Sequence, residues 1–186
     1  MITRILLAFS FVLFIGPTLL SNAAIAQKRD HLTAQEVDLV KEAQALDKRI
    51  EVFIKAAERR LMVINGSSAA NAKQLKKDAE RWGELPSGSR ADLVADIAHI
   101  LDEAITNIDD VSSRDERNPL IPKSLRKLAQ SVNSIMTQLK PLSAQAKSDA
   151  EVASFALLDE DAQSILEAAN KLPAEVEKKA KKNDKK

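Results

Sequence analysis

Apolar residues recur every three or four positions between residues 32 and 64, a stretch without glycine or proline. The members of this stripe are Ala43, Leu46, Ile50, Phe53, Ala57 and Ile64. Arg60 interrupts the series at the point where Leu61 takes over. The spacing predicts one long amphipathic helix whose stripe must be covered by partner helices, as in a coiled coil or a helical bundle.

Four later segments repeat this period and supply the partners. They are predicted to run over 68–82, 89–111 and 123–141, with a last helix from 143–149 to 171. Capping patterns at Thr33 and Ser89 mark helix starts, and the breaks contain Gly66 and Gly83, which favour helix ends. Pro141 must kink or end the helix predicted over 123–141. With no strand pattern in view, the fold class is all-α, an antiparallel helical bundle of four to five helices.

The first residues have the order of a secretory signal peptide. Arg4 precedes an apolar run over 5–20, and the small-residue site Ala24-Ile25-Ala26 follows, so cleavage is expected before Gln27. A retained membrane anchor is the alternative, but the run is shorter than the roughly twenty residues that a spanning helix needs. We therefore expect an exported protein, periplasmic or extracellular, which has no cysteine for a disulfide or a lipid.

This interpretation divides the chain into a signal peptide (1–26), one helical-bundle domain (27–173) and a basic tail (174–186). The tail contains Lys178, Lys179, Lys181, Lys182, Lys185 and Lys186. Such a segment buries little apolar surface, so we expect disorder and a weak, salt-sensitive contact with anionic surfaces.

Composition gives two arguments against nucleic-acid binding. The formal net charge of the whole chain is +1, and removal of Arg4 brings it near zero, which gives no electrostatic reason to bind nucleic acid. Beyond the signal peptide the aromatic residues are Phe53, Trp82 and Phe155. Rows of stacking aromatics, which hold single-stranded nucleic acids, are missing from the sequence.

These residues also offer little from which an active site could be formed. The histidines are His31, in the lead-in to the first helix, and His99, on an outer face. No phosphate-binding loop, zinc spacing or cofactor motif occurs. The charged residues of the long helix, Arg59 and Arg60 among them, are expected on a solvated face. We therefore expect no catalytic activity and no cofactor.

The outer face of the helix from Ser89 offers a weak metal candidate. Asp96, His99 and Glu103 stand at positions i−3, i and i+4 and can converge on one side of a helix. Metal centres in helical bundles instead use Glu-x-x-His twice, directed inward. A carrier that holds a small ligand or a metal, on this face or in the core, remains the alternative function.

The preferred function is a protein-interaction or structural module of the cell envelope. A helix over 32–64 would span about 45 Å, whereas its neighbours would span about 30 Å. One end should then overhang and offer an apolar pair to a protein partner or a second copy. The candidate pairs are Val37 with Val40 and Leu61 with Ile64.

Overall fold

The computed structural model describes residues 29–173, which form six α-helices and no strand. The helices are α1 (Ala34–Glu42), α2 (Leu46–Ile64), α3 (Ala72–Trp82), α4 (Arg90–Arg114), α5 (Leu120–Ser143) and α6 (Asp149–Asn170). The all-α class is therefore confirmed, but the expected number of four to five helices is wrong, since the described residues form six. The expected signal peptide and basic tail lie outside the described residues. Within 29–173, every helix is too short or too polar to cross a bilayer.

The prediction of a single long helix over 32–64 is wrong. The chain forms two helices there, because α1 ends at Glu42 and α2 begins only at Leu46. The two helices fold back on each other, since an Arg60 nitrogen lies 2.7 Å from a Glu36 oxygen. In one straight helix these residues would stand about 36 Å apart. The side chain of Arg49 donates to the carbonyl of Ala43 at 3.1 Å and helps to hold the reversal.

Most helix ends follow the local signals. Thr33 and Ser89 form full capping boxes with Glu36 and Asp92, and Gly83 takes a positive φ of 64° directly after α3. α3 starts later than expected, at Ala72, and α5 starts earlier, at Leu120. Pro141 does not stop α5 at once, because the helix continues to Ser143.

α2, α4, α5 and α6 surround one core. α2 packs against α4 and α5, α6 packs against the same two helices, and α1 covers α2 and α3. Cross-contacts give the directions of α2. Asp47 bonds Lys123 near the starts of α2 and α5, and Asn65 bonds Gln138 near their ends, so these helices are parallel. Arg49 of α2 bonds Asn107 of α4, far along that helix, so α2 and α4 are antiparallel.

The directions of α6 follow in the same way. Arg90 at the start of α4 pairs with Glu151 at the start of α6, so these two helices run parallel. Arg126 in the first half of α5 donates to the carbonyl of Pro173, just beyond α6, so α5 and α6 are antiparallel. The antiparallel arrangement expected from the sequence thus describes α2–α4 and α5–α6, but not α2–α5 or α4–α6.

The apolar stripes predicted from the sequence form the core. Ile50, Phe53, Leu128 and Val132 are fully buried, and Leu158 of α6 joins the same cluster. Charged residues are also buried, which the stripe pattern does not predict. Glu36, Arg59 and Arg60 are at most 2% exposed, so the solvated face expected for the two arginines is wrong.

Candidate functional site

A buried cluster of charged groups joins α1, α2 and α4. Glu36, at the first turn of α1, accepts two hydrogen bonds from the guanidinium of Arg60, at 2.8 and 2.7 Å. Arg60 also donates to the carbonyls of Ala56 at 2.8 Å and His31 at 2.6 Å. Two parallel bonds between a guanidinium and a carboxylate form one of the strongest polar contacts in proteins. This contact fixes α1 against α2.

Arg59 extends the cluster to the segment that follows α3. Its Nη2 atom donates to the carbonyls of Trp82 at 3.1 Å and Glu84 at 2.6 Å, and its charge lies 5.6 Å from the centre of the Trp82 ring. Its Nε atom is 3.3 Å from Glu36 but has no hydrogen-bond partner. Burial lowers the pKa of the Arg59 guanidinium, and the charge of Glu36 opposes that shift. Arg59 thereby attaches the α3–α4 connection to α2.

Asp96 belongs to this cluster and not to an outer metal site. It is 5% exposed, and its carboxylate accepts from Arg29 at 2.7 Å and lies 3.7 Å from Arg60. Burial raises the pKa of Asp96, while the charges of Arg29 and Arg60 act in the opposite direction. The expected outer position is wrong because Asp96 lies on the flank of α4 that packs against α2.

His99 and Glu103 meet a different partner, His31. The Nε2 atom of His31 lies 2.8 Å from Glu103, and the rings of His31 and His99 have centroids 5.8 Å apart. With Arg29 and Asp102, these residues line a surface cleft of about 380 Å³. In the described part of the chain, no group of three or more metal-binding side chains is arranged to hold an ion. The proposed set of Asp96, His99 and Glu103 is therefore not brought together.

The overhanging pairs expected on a long helix are not seen. α2 has 19 residues against 25 in α4 and 24 in α5, so it is shorter than its neighbours. Leu61 is 5% exposed in the core, and the partly buried side chains of Val37, Val40 and Ile64 pack against that core. The geometric reason for singling out these four residues is thus removed.

Charge is distributed unevenly among the four central helices. α6 contains six acidic residues and no basic one, and its parallel neighbour α4 contains six acids and two arginines. α5 contains four basic residues and no acidic one. Together α4 and α6 form an acidic side in a chain of nearly zero net charge, although Asp92 and Asp96 of α4 pair with Arg29, and Glu103 pairs with His31.

The carboxylate of Asp161 on this side lies in an environment that disfavours its charged form. It lies on α6 near Asp102 of α4, and one of its oxygens is buried with no hydrogen-bond partner. Burial, together with the negative charges of Asp102 and Glu160, raises the pKa of Asp161 to about 6. No basic side chain of residues 29–173 forms an ion pair with it.

Two further clefts lie between helices. The first, of about 580 Å³, is lined by the α1–α2 break and by polar side chains around Trp82. The second, of about 370 Å³, lies between α5 and α6 and is lined by Met136, Leu139, Phe155 and Leu158 together with polar residues. The second cleft is partly open to solvent and has apolar side chains in its wall, two properties that a small-ligand site needs.

Sequence reasoning overlooked the buried cluster although one signal was present. Arg60 stands where the apolar stripe requires a core residue, and a charged residue in that position needs a buried partner. The partner, Glu36, is 24 positions away, and only the reversal at 43–45 brings the two together.

Comparison of the chain with protein-family models, curated proteins and solved structures finds no match.

Proposed function

We propose that this chain is an exported helical-bundle module of the cell envelope that works by binding protein surfaces and has no catalytic activity. One observation carries the proposal. Glu36, Arg59, Arg60 and Asp96, the most buried charged groups of the cluster, bond to one another and to backbone carbonyls. They hold α1 and the α3–α4 connection on α2, so they serve the architecture and are not presented to a substrate.

The surface supports the same proposal. The acidic side formed by α4 and α6 gives the molecule a face with one predominant charge, whereas on α5 Lys123 and Lys127 already pair with Asp47 and Glu51 of α2. Complementary charge on two proteins accelerates their encounter and selects partners. Export is proposed from the order of Arg4, the apolar run and Ala24-Ile25-Ala26 in the sequence.

Cross-linking in the cells that produce the protein tests this function. We expect the exported product to begin at Gln27 and to form adducts of defined mass with protein. Charge reversal on the acidic side, such as Asp102→Lys with Glu160→Lys, should remove these adducts. The matched control, Glu116→Lys in the exposed α4–α5 loop, should retain them. A product that stays in the cytoplasm would contradict the proposal, and so would adducts that persist in the charge-reversal variant.

A second candidate, a carrier of a small ligand, is favoured by the cleft between α5 and α6. Met136, Leu139, Phe155 and Leu158 line it together with five polar residues, which offers a small ligand both apolar and polar contacts. Native mass spectrometry of protein purified from its own host distinguishes the two functions. A monomer that carries a stoichiometric small molecule, lost in Met136→Trp, would replace the interaction module with the carrier.

A further inference from the structure

The acidic side contains two matching rows of carboxylates. On α4, Asp102 and Asp109 stand seven residues apart, and on the parallel helix α6, Glu160 and Glu167 do the same. Asp161 follows Glu160 on α6, and the charge of Asp102 on α4 acts on it. Seven residues correspond to two helical turns and about 10.5 Å. We call these five residues the acidic face.

The members of the acidic face lack cationic partners. Asp102, Asp109, Glu160 and Glu167 are exposed. No ion pair within residues 29–173 includes any of the five. Neighbouring carboxylates repel one another, and the charges of Asp102 and Glu160 add to the effect of burial in raising the pKa of Asp161. A cationic surface that approached the acidic face would relieve this repulsion.

α3 presents such a surface on the same chain. Lys73, Lys77 and Arg81 follow at intervals of four residues, with Lys76 beside them, and all four side chains are exposed. In the described part of the chain none of the four forms an ion pair. α3 also contains two acids: Asp78 pairs with Lys55, and Glu80 forms no ion pair in these residues. The row from Lys73 to Arg81 spans about 12 Å, close to the length of each acidic row. We call these four residues the basic stripe.

One molecule cannot bring its own two surfaces together. α3 packs against α1 and reaches α2 through Lys55 and Trp82, whereas it makes no packing contact with α4, α5 or α6. α2 in turn makes no packing contact with α6. The basic stripe and the acidic face therefore do not meet within one molecule.

From this we infer that the partner of the acidic face is a second copy of the chain, which docks through its basic stripe. The inference rests on the proposed interaction role and names its partner. Because the two surfaces differ, the contact is heterologous, and it builds open chains of molecules unless the rotation between copies closes a ring. The contact is electrostatic, so it depends strongly on ionic strength.

Sedimentation velocity with two neutralised variants tests the inference. The base variant carries Lys73→Gln, Lys77→Gln and Arg81→Gln, and the acid variant carries Asp102→Asn, Glu160→Gln and Glu167→Gln. The matched control, Glu116→Gln with Arg117→Gln, neutralises exposed charges in the α4–α5 loop. At about 10 mM ionic strength, where screening is weak, the wild type and the control should form species whose mass grows with concentration. At about 150 mM salt this association should weaken at least about tenfold.

Each neutralised variant alone should remain a monomer at low salt. An equimolar mixture should form a dimer and nothing larger, because the acid variant retains a basic stripe and the base variant retains an acidic face. A monomeric wild type at low salt, an unaffected variant, or a mixture that stays monomeric would overturn the inference. If the inference fails while cross-linking captures a different protein on the acidic side, the proposed function stands with another partner.

Discussion

Replacing Glu36 with glutamine tests how the buried charges stabilise the fold. Glutamine preserves the volume and one acceptor oxygen, but it removes the negative charge that faces Arg60 at 2.7 Å and Arg59 at 3.3 Å. Both arginines are at most 2% exposed, so water cannot replace the lost carboxylate. Removing one partner of a buried ion pair costs about 3–5 kcal/mol. We expect the free energy of unfolding of Glu36→Gln to fall by that amount.

Two controls separate this effect from smaller ones. Thr33→Ala removes the side chain that caps α1 and should cost about 0.5–2 kcal/mol. Asp38→Asn changes an exposed acid of the same helix and should stay within about 0.5 kcal/mol. In an Arg60→Met background, Glu36→Gln should lower the free energy of unfolding by clearly less than in the wild type. The reason is that only Arg59, and not both arginines, is then left buried without its carboxylate partner.

Urea unfolding followed by circular dichroism provides the measurement. With a slope of about 2 kcal/mol/M, a loss of about 4 kcal/mol lowers the midpoint by about 2 M without changing the slope. If Glu36→Gln proved as mild as Asp38→Asn, the cluster would not be the contact that holds α1 in place. The reasoning that assigns these charges to the architecture would then be refuted.

Three further predictions use thermal melts. Asp161→Asn should raise the melting temperature at pH 7–8 and leave it nearly unchanged at pH 4. The reason is that the pKa of Asp161 is about 6 in the folded state, above its ordinary value of 3.8. The wild type therefore loses stability as the pH rises from about 4 to 6. Equal losses in wild type and variant over that range would contradict this. Leu128→Ala and Ile50→Ala should each cost about 2–5 kcal/mol, whereas exposed His99→Ala should stay within about 0.5 kcal/mol; a large effect at His99 would speak against its exposed position. Gly83→Ala should cost about 1–3 kcal/mol, because φ 64° with ψ −164° is a conformation that essentially only glycine adopts. An unchanged melt would mean that the turn relaxes.

The sequence predicts the parts of this fold that depend on local signals. Helix class, the capping boxes at Thr33 and Ser89 and the end of α3 before Gly83 follow from nearby residues, and the structure agrees with them. Apolar periodicity also identifies core residues such as Ile50 and Leu128.

The reversal between α1 and α2 has no local signal. Residues 43–45 contain no glycine or proline, and the apolar stripe continues through them in helical register. The contact of Glu36 with Arg59 and Arg60, which are far away in sequence, stabilises the reversal. The outer position predicted for Asp96 is wrong for the same reason, since its partners Arg29 and Arg60 belong to segments that meet α4 only in the folded chain.

The most direct test of the account is a distance measurement across this reversal, because the assignment of the buried charges to the architecture depends on it. The chain has no cysteine, so Ala34→Cys with Glu58→Cys places two spin labels at exposed positions without background. With α1 packed antiparallel on α2 and axes about 8–10 Å apart, double electron–electron resonance should give a distance clearly shorter than that of a straight helix. A narrow distribution near about 36 Å, the length of a straight helix between these residues, would contradict the account.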